Sequence, residues 1–173
     1  MPRQPLSITD IKELDSLLRE VFDYIIDLRK KNRLAYNIQY PKIPSILTES
    51  LAIHLLNRMG IISKLNGYTF KFGGRVADIL AIKGNNKIKI EIKATAKSAF
   101  EYFGEKDISA DFIIWIHFGN FFVNKEETQI KVFIVQTPRN YFHSPIKITL
   151  SRLKQIVNEL NPIVVDLNNF LDG

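Results

Sequence analysis

Val76-Ala77-Asp78-Ile79-Leu80-Ala81-Ile82, then Lys83-Gly84-Asn85-Asn86, then Lys87-Ile88-Lys89-Ile90-Glu91-Ile92-Lys93: this stretch decides how the chain is read. The first seven residues are apolar apart from one carboxylate, Asp78. Gly and Asn tolerate the positive φ of a tight turn, so Lys83–Asn86 predicts a reversal. The last seven residues alternate polar and apolar, the period of a half-buried strand. The spacing therefore predicts a β-hairpin. With Ile82 paired to Lys87, Asp78 lies directly opposite Glu91. Paired side chains share a face. Ala77, Ile79, Ala81, Ile88, Ile90 and Ile92 then form one apolar face, and Asp78, Glu91 and Lys93 occupy the other, with Lys87 and Lys89 further along.

That register poses an electrostatic problem, because like charges directly opposite one another destabilise a sheet. A divalent cation between the two carboxylates turns the repulsion into a binding site, and hard oxygen ligands suit Mg²⁺. Lys93 projects from the same face as Glu91. Two acids and a lysine on one edge can hold a metal, orient a water and stabilise charge on a phosphate under attack. The competing reading is a solvated outer face that carries charges by chance. It accounts for Lys87 and Lys89 well and for the opposed carboxylates badly.

At these residues the chain resembles the PD-(D/E)XK nuclease superfamily, whose signature is an Asp, about a dozen residues, and Glu-X-Lys across a β-hairpin. Here the signature reads Val76-Ala77-Asp78, twelve intervening residues, then Glu91-Ile92-Lys93. Ala77 stands where the family name has proline. The resemblance covers roughly residues 45 to 138. It implies an α/β fold with a restriction-endonuclease-like core, a mixed central β-sheet flanked by α-helices. It also implies metal-dependent hydrolysis of phosphodiester bonds in DNA. Asp78 and Glu91 would bind one or two Mg²⁺, with Mn²⁺ able to substitute. The backbone carbonyl of Ile92 would be an extra ligand, and Lys93 would orient the attacking water. Family members often carry a further acidic residue on the helix before the hairpin. Glu49 resembles it, although a solvated glutamate on a polar helix face fits that position equally well.

Composition bounds the alternatives. A chain of 173 residues suits one domain with a substantial core. Cysteine is absent, which removes disulfides, thiol nucleophiles and cysteine-ligated zinc, and fits a reducing cytoplasm. No signal peptide or bilayer-length apolar run is present, so a cytoplasmic protein without membrane contact is expected. The net charge of +6 is the footprint of a nucleic-acid binder, and also a habit of proteomes rich in Lys, Ile and Asn. No phosphate-binding P-loop, dinucleotide fingerprint or serine-hydrolase elbow occurs. His54, His117 and His143 are spaced for neither zinc nor a Ser-His pair, and His54 reads as structural.

Along the chain, residues 8 to 31 predict an amphipathic helix capped by Ser7 or Thr9. Its stripe is Ile11, Leu14, Leu18, Val21, Ile25 and Leu28, read as core packing in preference to a dimer seam. Arg29, Lys30, Lys31 and Arg33 complement its negative end or touch phosphate. A second helix runs from about Ser45 to Met59 and stops at Gly60. Tyr68 to Phe72 is a strand. Gly73-Gly74-Arg75 is a turn, in which glycines also let backbone approach a ligand and Arg75 can reach phosphate. Ala94 to Lys106 reads as a loop and short helix whose Lys97, Ser98, Tyr102 and Lys106 make it a candidate DNA-contact segment. Phe112–Ile116 is a strand covered on both faces, with Trp115 in the core. Lys131 to Gln136 is another, after a polar loop from Asn120 to Glu127. A helix over Ser151–Leu160 and an edge strand over Ile163–Leu167 close the chain, with Lys147, Arg152 and Lys154 a further basic cluster.

One nuclease domain spanning residues 1–173 is expected: a helical extension over 1–40, a catalytic core over 45–138, and a C-terminal helix and edge segment over 146–173. The site residues are Asp78, Glu91, Lys93 and Glu49 for catalysis, and Arg75, Lys97 and Lys106 for DNA. The leading reading is type II restriction-like cleavage of duplex DNA by a homodimer. A structure-selective nuclease such as a Holliday-junction resolvase, and a non-catalytic DNA-binding module of the same fold, are the alternatives.

Overall fold

The computed structural model describes residues 3–32, 37–97 and 100–173, so Arg33 and Ser98 lie outside the described residues. The chain is α/β, with a mixed six-stranded sheet flanked by helices. Helix α1 spans Ile8–Lys31, and α2 spans Ser45–Met59. Strands β1 (Thr69–Phe72), β2 (Ile79–Lys83) and β3 (Asn86–Thr95) follow. Next come β4 (Phe100–Phe103), α3 (Glu105–Ser109), β5 (Phe112–His117) and β6 (Gln129–Gln136). The chain ends with β7 (Ile146–Thr149), α4 (Leu150–Ile156), β8 (Ile163–Asp166) and α5 (Leu167–Asp172). The large sheet runs β1-β2-β3-β5-β6-β8, and β4 pairs with β7 in a separate two-stranded sheet. Among the described residues only the β3–β5 pairing is parallel, and β4 and α3 lie on the crossover between them.

Local signals explain most of these elements. Ser7 caps α1 in a capping box with Asp10. Gly60 ends α2 in the left-handed conformation that glycine adopts without strain. The hairpin has the expected register, Ile82 against Lys87 through Ile79 against Ile90.

Each face of the large sheet is covered by its own core. On one, α1, α2 and α5 pack over Ile79, Ala81, Ile90, Ile92 and Ile114. On the other, β4, β7 and α4 pack over Ile113, Trp115, Phe133 and Val135. Trp115 is buried, as expected, and its indole N–H donates to Thr95 Oγ1 at 2.9 Å.

Several expectations fail, each because a tertiary contact overrides a local pattern. Val21 is exposed, and Phe22 takes the buried position, stacked on Tyr40 and Phe122. Asn120–Glu127 is not a purely polar loop: Phe121 and Phe122 are buried in the core. Residues 94–106 hold the end of β3, all of β4 and the start of the short helix α3, so the expected helix is present but two strand segments stand where a loop was expected. The helix expected over Ser151–Leu160 is α4 and stops at Ile156, and the unexpected β7 and α5 flank it and β8. The basic cluster disperses, with Lys147 over the Phe100 ring, Lys154 over Phe133, and Arg152 bonded to Gln155. Among the described residues, no helix is long and apolar enough to cross a membrane.

Candidate active site

Asp78 reaches its position through the turn that separates β1 from β2. Gly73 is required there, since a Cβ would lie 2.4 Å from the Ala77 carbonyl oxygen, and Gly74 has φ of +64°. Both glycines serve the turn itself. Gly73 N–H donates to the Asp78 carbonyl at 3.0 Å and so fixes where β2 begins.

Asp78 stands one residue ahead of β2 and extends the hairpin by a side-chain contact. Its Oδ2 accepts the Ile92 N–H at 2.8 Å. In an antiparallel ladder a residue's N–H and C=O face the same edge. The Ile92 carbonyl therefore also faces the Asp78 edge of β3.

Glu91 is 3% exposed. This removes the solvated-face reading for that carboxylate. Its side chain lies on the sheet face covered by the second core, because its neighbours Ile113 and Trp115 on β5 pack against Phe103 and Phe142. Burial, then the Asp78 charge, push the Glu91 carboxyl up to about 7. Glu91 Oε1 is buried and has no hydrogen-bond partner among the described residues.

Residues from α3 supply the counter-charges. Lys106 Nζ is 3.5 Å from Glu91 Oε1 and 3.8 Å from Asp78 Oδ1, as an ion pair with each. Lys93 Nζ is 3.0 Å from Asp107 Oδ1, and Gly104 N–H donates to Asp107 Oδ2 at 2.8 Å. Glu101 on β4 lies within reach of Lys93: burial pushes its carboxyl up, and the lysine pulls it back.

Glu49, on α2, lines a cleft of about 290 Å³ with Asp78, Arg3, Lys71, Phe72, Gly74 and Ala77. Burial and the Asp78 charge raise its carboxyl, while Arg3 and Lys106 oppose the rise. Arg3 Nη1 is 3.9 Å from Glu49 Oε2, and the guanidinium sits 4.9 Å from the Phe72 ring centroid. The segment bearing Arg3 is tied to α2 by Leu6, whose N–H donates to Ser50 Oγ and whose carbonyl meets His54 Nε2 at 2.8 Å. His54 is thus structural, as its isolation in sequence suggests.

The fold therefore gathers Asp78, Glu91, Lys93, Glu49 and Lys106. Arg75 and Lys97 stay exposed, on the turn before Asp78 and after the end of β3 respectively. Lys106, expected as a DNA contact, pairs with the two carboxylates. Sequence reasoning missed Asp107, Arg3 and Lys71. A signal for Asp107 existed, because Gly104-x-x-Asp107 is the spacing of a helix start with an acid at its third position. Arg3 and Lys71 carry no such signal.

Among the described residues, no three acidic or histidine side chains converge into a ready metal cage. The pair nonetheless suits Mg²⁺, which keeps several waters and takes only one or two carboxylates. The buried Glu91 Oε1 beside Asp78, met by the Lys106 ammonium at 3.5 Å and by no hydrogen bond among the described residues, is the atom such a cation would satisfy. No protein-family model matches the chain, and no curated protein does.

Proposed function

We propose that this chain is a divalent-metal-dependent endodeoxyribonuclease with a restriction-endonuclease-like core, a member of the PD-(D/E)XK group acting on duplex DNA. One observation carries the reading: a buried glutamate held against an aspartate that itself lines a cleft, with a lysine two residues along the same strand already fixed in orientation. Keeping two carboxylates together with one desolvated raises the free energy of the metal-free protein. Such an arrangement serves a cation better than it serves stability.

Asp78 and Glu91 supply the oxygen ligands, with the Ile92 carbonyl facing the same edge. The bound cation, Mg²⁺ or Mn²⁺, supplies Lewis acidity toward the phosphate and a nucleophile at neutral pH. Lys93, held by Asp107, directs its ammonium at the attacking water and offsets charge that builds on the phosphate. Glu49, with its raised carboxyl, accepts a hydrogen bond from a water in the cleft. Restriction-type cleavage of both strands calls for two copies of this site, so a homodimer on DNA is part of the proposal.

Purified protein with Mg²⁺ is offered plasmid, single-stranded DNA and a synthetic four-way junction. Discrete plasmid fragments support restriction-type cleavage, and selective junction cutting assigns resolvase activity instead. Binding without cleavage of any substrate, in Mg²⁺ or Mn²⁺, refutes the nuclease and leaves a DNA-binding module. Asp78→Ala and Glu91→Ala should each abolish cleavage while DNA affinity persists, and full activity in both defeats the assignment.

A further inference from the structure

Lys106 touches both carboxylates, yet the reaction gives it no role. Its ammonium lies between Glu91 Oε1 and Asp78 Oδ1, at 3.5 and 3.8 Å. The adjacent residue, Asp107, makes the opposite pairing with Lys93 at 3.0 Å and takes the Gly104 N–H. Helix α3 is thus anchored through Asp107 and does not depend on Lys106. The Lys106 side chain is 47% exposed, and a lysine stem has four rotatable methylenes. Its ammonium can leave the carboxylates without any backbone movement.

We propose that Lys106 is an internal counter-ion: it occupies the divalent cation's place between Asp78 and Glu91 in the metal-free protein and yields that place when metal binds. This rests on the metal-dependent reading above. Two facing carboxylates with one desolvated need positive charge nearby. A single ammonium meets that need in part. A dication in direct contact with both oxygens meets it better, but must first displace the ammonium. Observed metal affinity is then the intrinsic affinity reduced by the fraction of molecules in which Lys106 is in place. Removing Lys106 should therefore move two quantities in opposite directions: metal affinity rises and metal-free stability falls.

The test is calorimetric titration of Mn²⁺ into the full chain at pH 7.5, with thermal unfolding of each variant in EDTA. Lys106→Met should bind Mn²⁺ at least about tenfold more tightly than wild type, the scale of losing one close ionic competitor. It should also unfold at a lower temperature in EDTA. Lys106→Arg, which keeps the charge, and Lys71→Met, which removes a charge from the cleft that Asp78 lines, should both stay within about threefold of wild type, as exposed charges do. Lys106→Gln keeps a hydrogen-bonding head and carries the same expectation as Lys106→Met if the latter does not fold. Unchanged affinity in these Lys106 variants, with binding lost in Asp78→Asn, overturns the counter-ion role and leaves the metal site standing. Equal tightening in Lys106→Met and Lys71→Met also overturns it, since a general field then suffices. Absence of Mn²⁺ binding in wild type and in Lys106→Met defeats both readings.

Discussion

Glu91→Gln in metal-free buffer is a direct probe of the site, because the structure sets both its sign and its size. Burial and Asp78 push the Glu91 carboxyl from its ordinary 4.5 to about 7, so ionised Glu91 is less favourable folded than unfolded. Below about pH 4.5 the group is neutral in both states and exerts no penalty. As pH rises toward 7, the unfolded chain loses this proton first, and wild type is progressively destabilised relative to its acid form. The displacement amounts to about 3 kcal/mol once pH exceeds 7, at ~1.4 kcal/mol per tenfold step in acid dissociation. Glutamine has the same shape and never ionises. Glu91→Gln should therefore match wild type near pH 4 and exceed it by up to about 3 kcal/mol at pH 8. For a chain of this length that is roughly 6–12 °C in Tm. Thermal unfolding by circular dichroism in EDTA, at half-unit steps from pH 4 to 8, reads the difference directly. Mg²⁺ should then stabilise wild type and leave Glu91→Gln nearly unmoved. A variant less stable than wild type at pH 8, or a difference independent of pH, refutes the argument that Glu91 is held at a thermodynamic disadvantage.

Glu49→Gln should lower the Mg²⁺-dependent cleavage rate by at least about tenfold, or ~1.4 kcal/mol of barrier, in single-turnover assays; a rate within about twofold returns Glu49 to a structural pairing with Arg3. Neutralising Arg75 and Lys97 together should flatten the slope of log DNA affinity against log salt by about 2, measured in Ca²⁺; an unchanged slope moves the DNA path to another face, with Lys30 and Lys31 at the end of α1 the next candidates. Phe121→Ala should destabilise the protein by about 3–5 kcal/mol in urea unfolding, because Phe121 is buried against Phe118, Phe122 and the Arg19 guanidinium; a loss under about 1 kcal/mol contradicts that packing. Asp15, buried on α1 with its carboxyl raised to about 6 chiefly by burial, adds a second contribution with the same sign. Asp15→Asn should flatten the fall in stability between about pH 4 and 6 in the same measurement.

How much of this was legible in the sequence depends on the range of the interaction involved. The hairpin and its register follow from strand alternation and turn chemistry alone, and with them the approach of Asp78 to Glu91. The ends of α1 and α2 follow from Ser7, Asp10 and Gly60, because caps act over three or four residues. Trp115 in the core follows from an apolar run too continuous for a half-exposed strand. Strand β4 was not legible, since Phe100–Phe103 is stabilised by pairing with β7, more than forty residues on in the chain. That pairing and the layer beneath it decide the chemistry. They bury Glu91, raise its carboxyl, and bring α3 across the edge of the hairpin with Lys106 on the carboxylates and Asp107 on Lys93. Which residues bear charge is written in the chain. Which of those charges are desolvated, and what neutralises them, depends on contacts between distant segments, and only the tertiary structure decides it.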